Sequence, residues 1–440
     1  MNIIYTMRNK VLVAALLIIL PFFITACTLQ DLPVIGRFFG GAGDSNEIPT
    51  DQAATISIWG LWESPEVMDK LIIKYRETHP NITVNYDDRS VLKLEDYKET
   101  VYTRAGQESA PDIVFVHNSW VPGLKGSLAP APANVMSAQD YASRFYPAAQ
   151  QSAVLDDSVY AAPVYYDGLV LVYNKKHFEE IDQTVPPTAW EEFRRLALEL
   201  TIRGQQNTIV RAGAAMGAAD NITFFSDILG LMFSQAQVNI PADLDSKAAQ
   251  DALAFYANFM VEDKVWDNTM PEASSAFAQE KVSMIFVPAW SLLDIVTARP
   301  DLDIGVAPVP QALPDTPAAW SSFWMMAVPS GSANKAVAWD FIKFMSQDEQ
   351  QLSLFSENSA FRKFGSPYSS TALKSQLDSN PYLKPVLDTA PYASTGRIAA
   401  RAGNKSAVEA LRTAVNEMSI PTADPAAVLK TAKDAIVNTR

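Results

Sequence analysis

Short apolar runs alternate with longer amphipathic stretches from residue 55 onward. Thr55-Ile56-Ser57-Ile58-Trp59 is a short β-rich run, and Ser64-Pro65 supplies an N-cap followed by a first-turn proline. Val67, Met68, Leu71, Ile72 and Tyr75 then recur at helical spacing. His79-Pro80-Asn81 breaks that helix, and Ile82-Thr83-Val84-Asn85-Tyr86 is a second strand. The unit is βαβ, a connection that suits two parallel strands with a crossover helix. Further strands are expected at Asp112–Val116, Gly168–Tyr173, Val282–Val287, Asp303–Pro308 and Trp324–Pro329. Thr188-Ala189-Trp190-Glu191 has the form of a capping box opening a helix through Phe193, Leu196 and Leu200. Beyond Ala333 the pattern is mostly helical, with a Pro/Ser/Asn-rich interruption at Ser366–Pro391. The final helix is capped by Asp424-Pro425 and turns Val428, Leu429, Ala432 and Ile436 inward. The fold class expected from this alternation is α/β with mainly parallel sheets.

The first residues follow a different rule. Arg8 and Lys10 precede a continuous apolar run, Val11–Leu20, and Ile24-Thr25-Ala26-Cys27 closes the segment. This is a secretory signal layout with small residues before the cut. The stretch from Val11 up to the cysteine is about 16 residues and contains Pro21, so it is short for a membrane span. Residues 28 to about 52 mix Gly, Pro, Asp and Ser without periodicity and read as a flexible tether.

Composition narrows the function. A chain of 440 residues is too large for one compact core, so two lobes are expected. With 48% apolar and 19% charged residues it has globular composition, and a net charge of −14 argues against a nucleic-acid binder. One cysteine excludes an internal disulfide and every multi-cysteine metal site, and three histidines argue against a His-rich centre. No G-x-S-x-G, H-E-x-x-H, Walker-type or G-x-G-x-x-G motif occurs, so the balance leans towards a binding protein without cofactor or metal. Asp87-Asp88 with Glu95-Asp96 is either a calcium-holding loop or a set of solvated surface charges.

The aromatics carry the chemistry. Trp59 and Trp62 follow the first strand, Trp120 the third, and Trp290 the strand ending at Val287; Tyr165-Tyr166-Asp167 precede the strand at Gly168. In open α/β sheets ligands bind at the carboxyl ends of strands. Trp62, Trp120 and Trp290 are therefore expected to line a cleft, where a ring face packs on the apolar C–H face of a pyranose. Glu63, His117, Asn118 and Asp167 would bond its hydroxyls. Trp190, Trp266 and Trp339, within or beside helices, read as core, and Trp59 reads equally as core or cleft. Of Tyr165 and Tyr166, one is expected buried and one exposed, since adjacent strand residues point opposite ways.

The segments ISIWGLWESPEVMDKLIIKYRETHPNITVNY, PDIVFVHNSWVPGLKGSLAPA, YYDGLVLVYNKKHFEEIDQTVPPTAWEEF, AFAQEKVSMIFVPAWSLLDI and WDFIKFMSQDEQQ resemble, in order and spacing, the extracellular sugar-binding proteins of ABC importers, the family that includes maltose-binding protein. Ile24–Cys27 likewise resembles the lipobox of bacterial lipoproteins, in which the cysteine is acylated. The resemblance implies a periplasmic-binding-protein-like type II fold: two α/β lobes joined by a hinge that the chain crosses more than once, closing on ligand. The boundaries expected are 1–26 signal peptide, 27–52 tether, 53–165 plus 311–350 as lobe one, and 166–310 plus 351–440 as lobe two. Carried over residue by residue, Trp62 and Glu63 match the loop after the first strand, and His117, Asn118 and Trp120 that after the third. Asp167, beside Tyr165 and Tyr166, matches a crossover carboxylate that accepts sugar hydroxyls, and Trp290 the aromatic of a Gly-Pro-Trp-like turn, written here Pro288-Ala289-Trp290. Ser321 and Ser322 stand where relatives often carry Gly-Gly and either bond ligand or narrow the cleft. Arg397 either reaches the cleft or stays at the surface. The function implied is a monomeric lipoprotein, anchored at Cys27 to the outer face of the bacterial cell membrane, that captures a carbohydrate and passes it to ABC permease subunits. Two alternatives stand beside it: the same fold binding iron, a polyamine, a phosphate ester or a peptide, and a secreted glycan hydrolase using Asp167 and Glu63.

Overall fold

Strand β1 (Ala54–Gly60) opens the first lobe, and helix α1 (Pro65–Thr78) follows it. Ser64 Oγ accepts the Val67 N–H at 3.3 Å while Pro65 occupies the first turn, where its missing N–H costs nothing. The stripe Val67, Met68, Leu71, Ile72 and Tyr75 is buried, and the chain returns in β2 (Ile82–Asp88), parallel to β1 from Ala54↔Ile82 to Gly60↔Asp88. Helix α2 (Leu94–Arg104), β3 (Ile113–His117) and β4 (Ala161–Pro163) complete this half's first pass. The computed structural model describes residues 53–420 and 422–437, which fall within one compact unit, Asn46–Arg440. The expected signal segment, Cys27 and the tether 27–52 lie outside the described residues.

The second lobe contains β5 (Leu169–Asn174), α3 (Trp190–Glu199), β6 (Ile202–Arg203), β7 (Ile209–Ala214), α4 (Phe225–Gln235), α5 (Lys247–Val261), β8 (Val282–Pro288) and β9 (Ile304–Ala307). The chain then returns to the first lobe as β10 (Trp324–Ala327), α6 (Lys335–Met345) and α7 (Asp348–Ser359). It ends in α8 (Lys405–Glu417), packed on α4, and α9 (Pro425–Val437), packed on α5 and α8.

The sheet orders are β2-β1-β3-β10-β4 and β9-β5-β8-β7-β6. The expectation of mainly parallel sheets is corrected here. β1 pairs parallel with β2 and β3, and β8 with β7, but β10 runs antiparallel to β3 and β4, β5 antiparallel to β8 and β9, and β6 antiparallel to β7. For β10 and β5 the cause is the repeated crossing between lobes, since a strand that enters a sheet from the other lobe arrives from the opposite end; β6 and β7 are antiparallel because a short loop, residues 204–208, joins them as a hairpin. The capping box expected at Thr188–Glu191 does not form either. Ala189 is the N-cap of α3, and the Thr188 N–H is taken at 3.2 Å by Glu192 rather than Glu191.

Two crossing segments lie side by side between the sheets. Val164 N–H donates to Trp324 O at 3.1 Å, Ser322 N–H to Asp167 O at 3.2 Å, and Gly168 bridges Ser321. The division drawn at 350 falls inside α7. That helix packs on α1, where Glu357 ion-pairs with Lys70 and Ser353 Oγ accepts from Lys74 Nζ at 3.1 Å, so it belongs with the first sheet.

Candidate functional site

The ends of the two sheets that carry the tryptophan loops are built by strand direction. β10 runs antiparallel to β3 with Trp324 opposite His117, so the start of one strand and the end of the other meet at one edge. Trp324 there stands between Trp62 (centroids 6.2 Å apart) and Trp120 (5.3 Å, nearly perpendicular), with the His117 ring also at 5.3 Å. Edge-to-face packing of this kind fixes ring orientation. Trp62 is 44% exposed and holds a φ of 68°, a left-handed backbone that its N–H stabilises by donating to Ser90 Oγ at 2.7 Å.

The second sheet repeats the device. β5 and β8 are antiparallel with Leu169 opposite Pro288, which brings Asp167 beneath the turn at Trp290. Asp167 Oδ1 accepts the N–H groups of Gly168 (2.6 Å) and Ala289 (2.8 Å), and Oδ2 that of Trp290 (2.9 Å). The carboxyl is sealed from solvent, and burial pushes it up to about 7 although the backbone donors pull it down. Trp290 is half-buried, edge-on to Phe224 at 5.9 Å, with the Arg401 guanidinium over its face at 5.3 Å. Two adjacent hollows share Arg401 as a wall. One, of about 750 Å³, lies between α2 (Lys98, Tyr102) with Trp120 and the 397–412 segment; the other, of about 330 Å³, is walled by Phe224 and Trp290.

Residues 61–352 match the family described as bacterial extracellular solute-binding protein. The chain belongs to that family. Among relatives of this solute-binding protein, a maltotriose-binding protein of Pyrococcus abyssi is 21% identical over 67% of the chain and 63% of its own length, so the chain spans less than two thirds of that relative. A diacetylchitobiose-binding protein of Streptomyces coelicolor is 21% identical over 78% of the chain and 79% of its own. A Thermotoga lettingae ABC transporter solute-binding protein solved with α-D-tagatose superposes with a TM-score of 0.66 at 22% identity, covering 87% of this chain and 98% of that one. The likeness carries the two-lobe type II fold.

Several residues expected at the site of this solute-binding protein turn inward. Glu63 is buried, with Oε2 accepting from Asn358 Nδ2 at 2.7 Å; burial pushes its carboxyl up to about 7, and Arg362 and Asn358 pull the other way. Asn118 donates to Thr395 Oγ1 (2.6 Å) and Ser152 Oγ (3.2 Å) and accepts the Phe323 N–H at 3.1 Å, tying the first lobe to a crossing segment. His117 has its ring nitrogens 2.7 Å from Ser119 Oγ and 2.8 Å from Ser322 Oγ, and burial pushes it down to about 3, so it is neutral. Trp120 walls the larger hollow at one edge, but its indole N–H donates to Ala402 O and it is only 1% exposed. Tyr165 and Tyr166 are both buried, Tyr166 against Tyr146 and Phe323; the expectation that one would be exposed fails because they sit in a crossing segment covered on both sides, not in a half-buried strand. Ser321 is buried, Ser322 is half-buried, and Arg397 is exposed on the wall of the larger hollow. The structure adds Lys98, Tyr102, Phe224, Trp324 and Arg401. Lys98 and Tyr102 are four apart on α2, and Arg401 lies four after Arg397, the only spacing signals that pointed to them. Asp87 pairs with Arg89 and Asp88 accepts from Ser90 Oγ, which accounts for the acidic pair.

Proposed function

We propose that this protein is a lipid-anchored extracytoplasmic receptor, without enzymatic activity, that captures a carbohydrate between its lobes and delivers it to an ABC permease. The observation that carries the reading is the aromatic lining of the two adjacent hollows, Tyr102 and Trp120 in the larger and Phe224 and Trp290 in the smaller, with Arg401 shared between them. Such faces pack on the C–H faces of sugar rings, and a ligand touching both lobes draws the equilibrium towards the closed form. The maltotriose- and diacetylchitobiose-binding names of the relatives support an oligosaccharide. Trp62 and Trp290 supply stacking in this reading, Asp167 positions Trp290, and Ser322 and Arg397 bond hydroxyls. The paired crossing segments 164–168 and 319–323 serve as the hinge, and Cys27 carries the acyl chains. Titrating saccharides while following intrinsic tryptophan fluorescence tests the capture step; an unchanged spectrum throughout would remove it. Recovery of every bound glycan intact after prolonged incubation tests the absence of turnover.

A further inference from the structure

The chain is acidic overall, yet the larger hollow gathers Lys98, Arg397 and Arg401 on its walls. Its other cations are neutralised: Lys405 by Glu95, and Arg412 by Asp220 and Glu409. Among the described residues, Lys98, Arg397 and Arg401 have no carboxylate at ion-pair distance, and Glu99, also on the wall, pairs with none of them. Lys98 Nζ donates to the carbonyl of Gly403 at 2.7 Å and lies 5.4 Å from the Trp120 ring and 6.0 Å from Tyr102. Arg401 has the Trp290 face as its partner. Burial and the nearby Arg397 charge push Lys98 down to about 8, and Glu95, which is ion-paired to Lys405, pulls the other way without reaching Lys98 at ion-pair distance. Three cations without a carboxylate at ion-pair distance, set among aromatic walls, attract an anion that also presents an apolar ring face. Guanidinium groups bond carboxylate or sulfate through paired, charge-assisted N–H donors, which a neutral hydroxyl does not reciprocate.

We propose that the cleft's ligand is an acidic saccharide, whose carboxylate or sulfate sits among Lys98, Arg397 and Arg401 while its ring packs on the neighbouring aromatic faces. The inference rests on the carbohydrate reading above and narrows it to a class.

Calorimetric titration of the full chain with trigalacturonate, a sulfated disaccharide, maltotriose and diacetylchitobiose, at low and high salt, tests it. The expected result is that an acidic sugar binds at least about tenfold tighter than either neutral one at low salt, with the advantage shrinking as salt screens it. Whichever acidic sugar binds tighter identifies the anion as carboxylate or sulfate. Arg401→Gln and Arg397→Gln, both exposed side chains whose loss leaves the core intact, are each expected to cut the acidic-to-neutral affinity ratio about tenfold, and Arg401→Lys to retain most of it. Tighter binding of a neutral sugar, insensitive to salt, would overturn the inference and leave the carbohydrate reading standing. Binding of no sugar of either kind would overturn both.

Discussion

Trp290 donates its backbone N–H to Asp167 Oδ2 at 2.9 Å, a bond between residues 123 apart in sequence that joins a crossing segment to the turn after β8. The same carboxylate takes the N–H groups of Ala289 and Gly168, so one buried side chain holds the backbone of the aromatic wall. Asp167→Ala removes the acceptor of the Gly168 and Trp290 N–H groups and leaves the Ala289 N–H only the Gly168 carbonyl at 3.1 Å. A loss of about 2–4 kcal/mol in urea unfolding is expected, together with weaker sugar binding as Trp290 loses its pose. A variant as stable and as avid as the parent would contradict this role.

Glu63 gives a pH signature. Its folded carboxyl titrates near 7 against an ordinary value of 4.5, so the native state holds a proton that the unfolded chain releases. Its contribution to stability is full below about pH 4.5 and is lost as pH rises through 7. Glu63→Gln keeps the acceptor for Asn358 and removes that titration. Relative to the parent it should gain on the order of 2–3 kcal/mol between pH 4.5 and 7.5. His117 and His177, which burial pushes down to about 3 and about 4, act in the opposite sense below pH 6.5 in both proteins and cancel in the difference. Parallel stability curves for the two proteins would refute the assignment.

Trp62 separates strain from stacking. With φ at 68° its backbone is costly for any residue carrying a Cβ, by about 1–2 kcal/mol. Trp62→Gly should therefore exceed Trp62→Ala in stability by about 1 kcal/mol, while both lose sugar affinity. Equal stabilities would show that the left-handed turn is not strained.

Trp320 links the core of the second lobe to the cleft loop. Its indole N–H donates to Asp227 Oδ1 at 2.9 Å, while Asp227 Oδ2 accepts the Ala400 N–H at 2.9 Å, one residue from Arg401. The ring lies against Gly230, where an added Cβ would come within 2.6 Å of it. Gly230→Ala is expected to cost about 1–3 kcal/mol and to weaken binding through the displaced loop. Normal stability would mean the ring moves freely.

Cys27 is tested by fractionation. The parent is expected in the detergent-soluble membrane fraction and Cys27→Ser in the aqueous one; identical partitioning would remove the lipid anchor from the account.

Much of the fold was legible because it is local. Ser64-Pro65 and the stripe from Val67 to Tyr75 specify α1 without reference to the rest of the chain. Strand direction was less legible, since β10 joins β3 only after a crossing some two hundred residues later. The site was read unevenly for the same reason. Tryptophans after strands marked the right loops, but whether Asp167 faces ligand or holds Trp290 depends on donors from β8. Whether Lys98 is ion-paired depends on where the fold sends Glu95, which pairs with Lys405 instead. Residue type was visible in each case; the partner was not.

Calorimetric titration of the parent against Trp290→Ala asks whether the aromatic walls hold a saccharide. The expected result is saturable binding of at least one oligosaccharide, acidic or neutral, weakened about tenfold or more in the variant, as for loss of an aromatic anchor. Undiminished affinity in Trp290→Ala, or no heat with any saccharide, would contradict it.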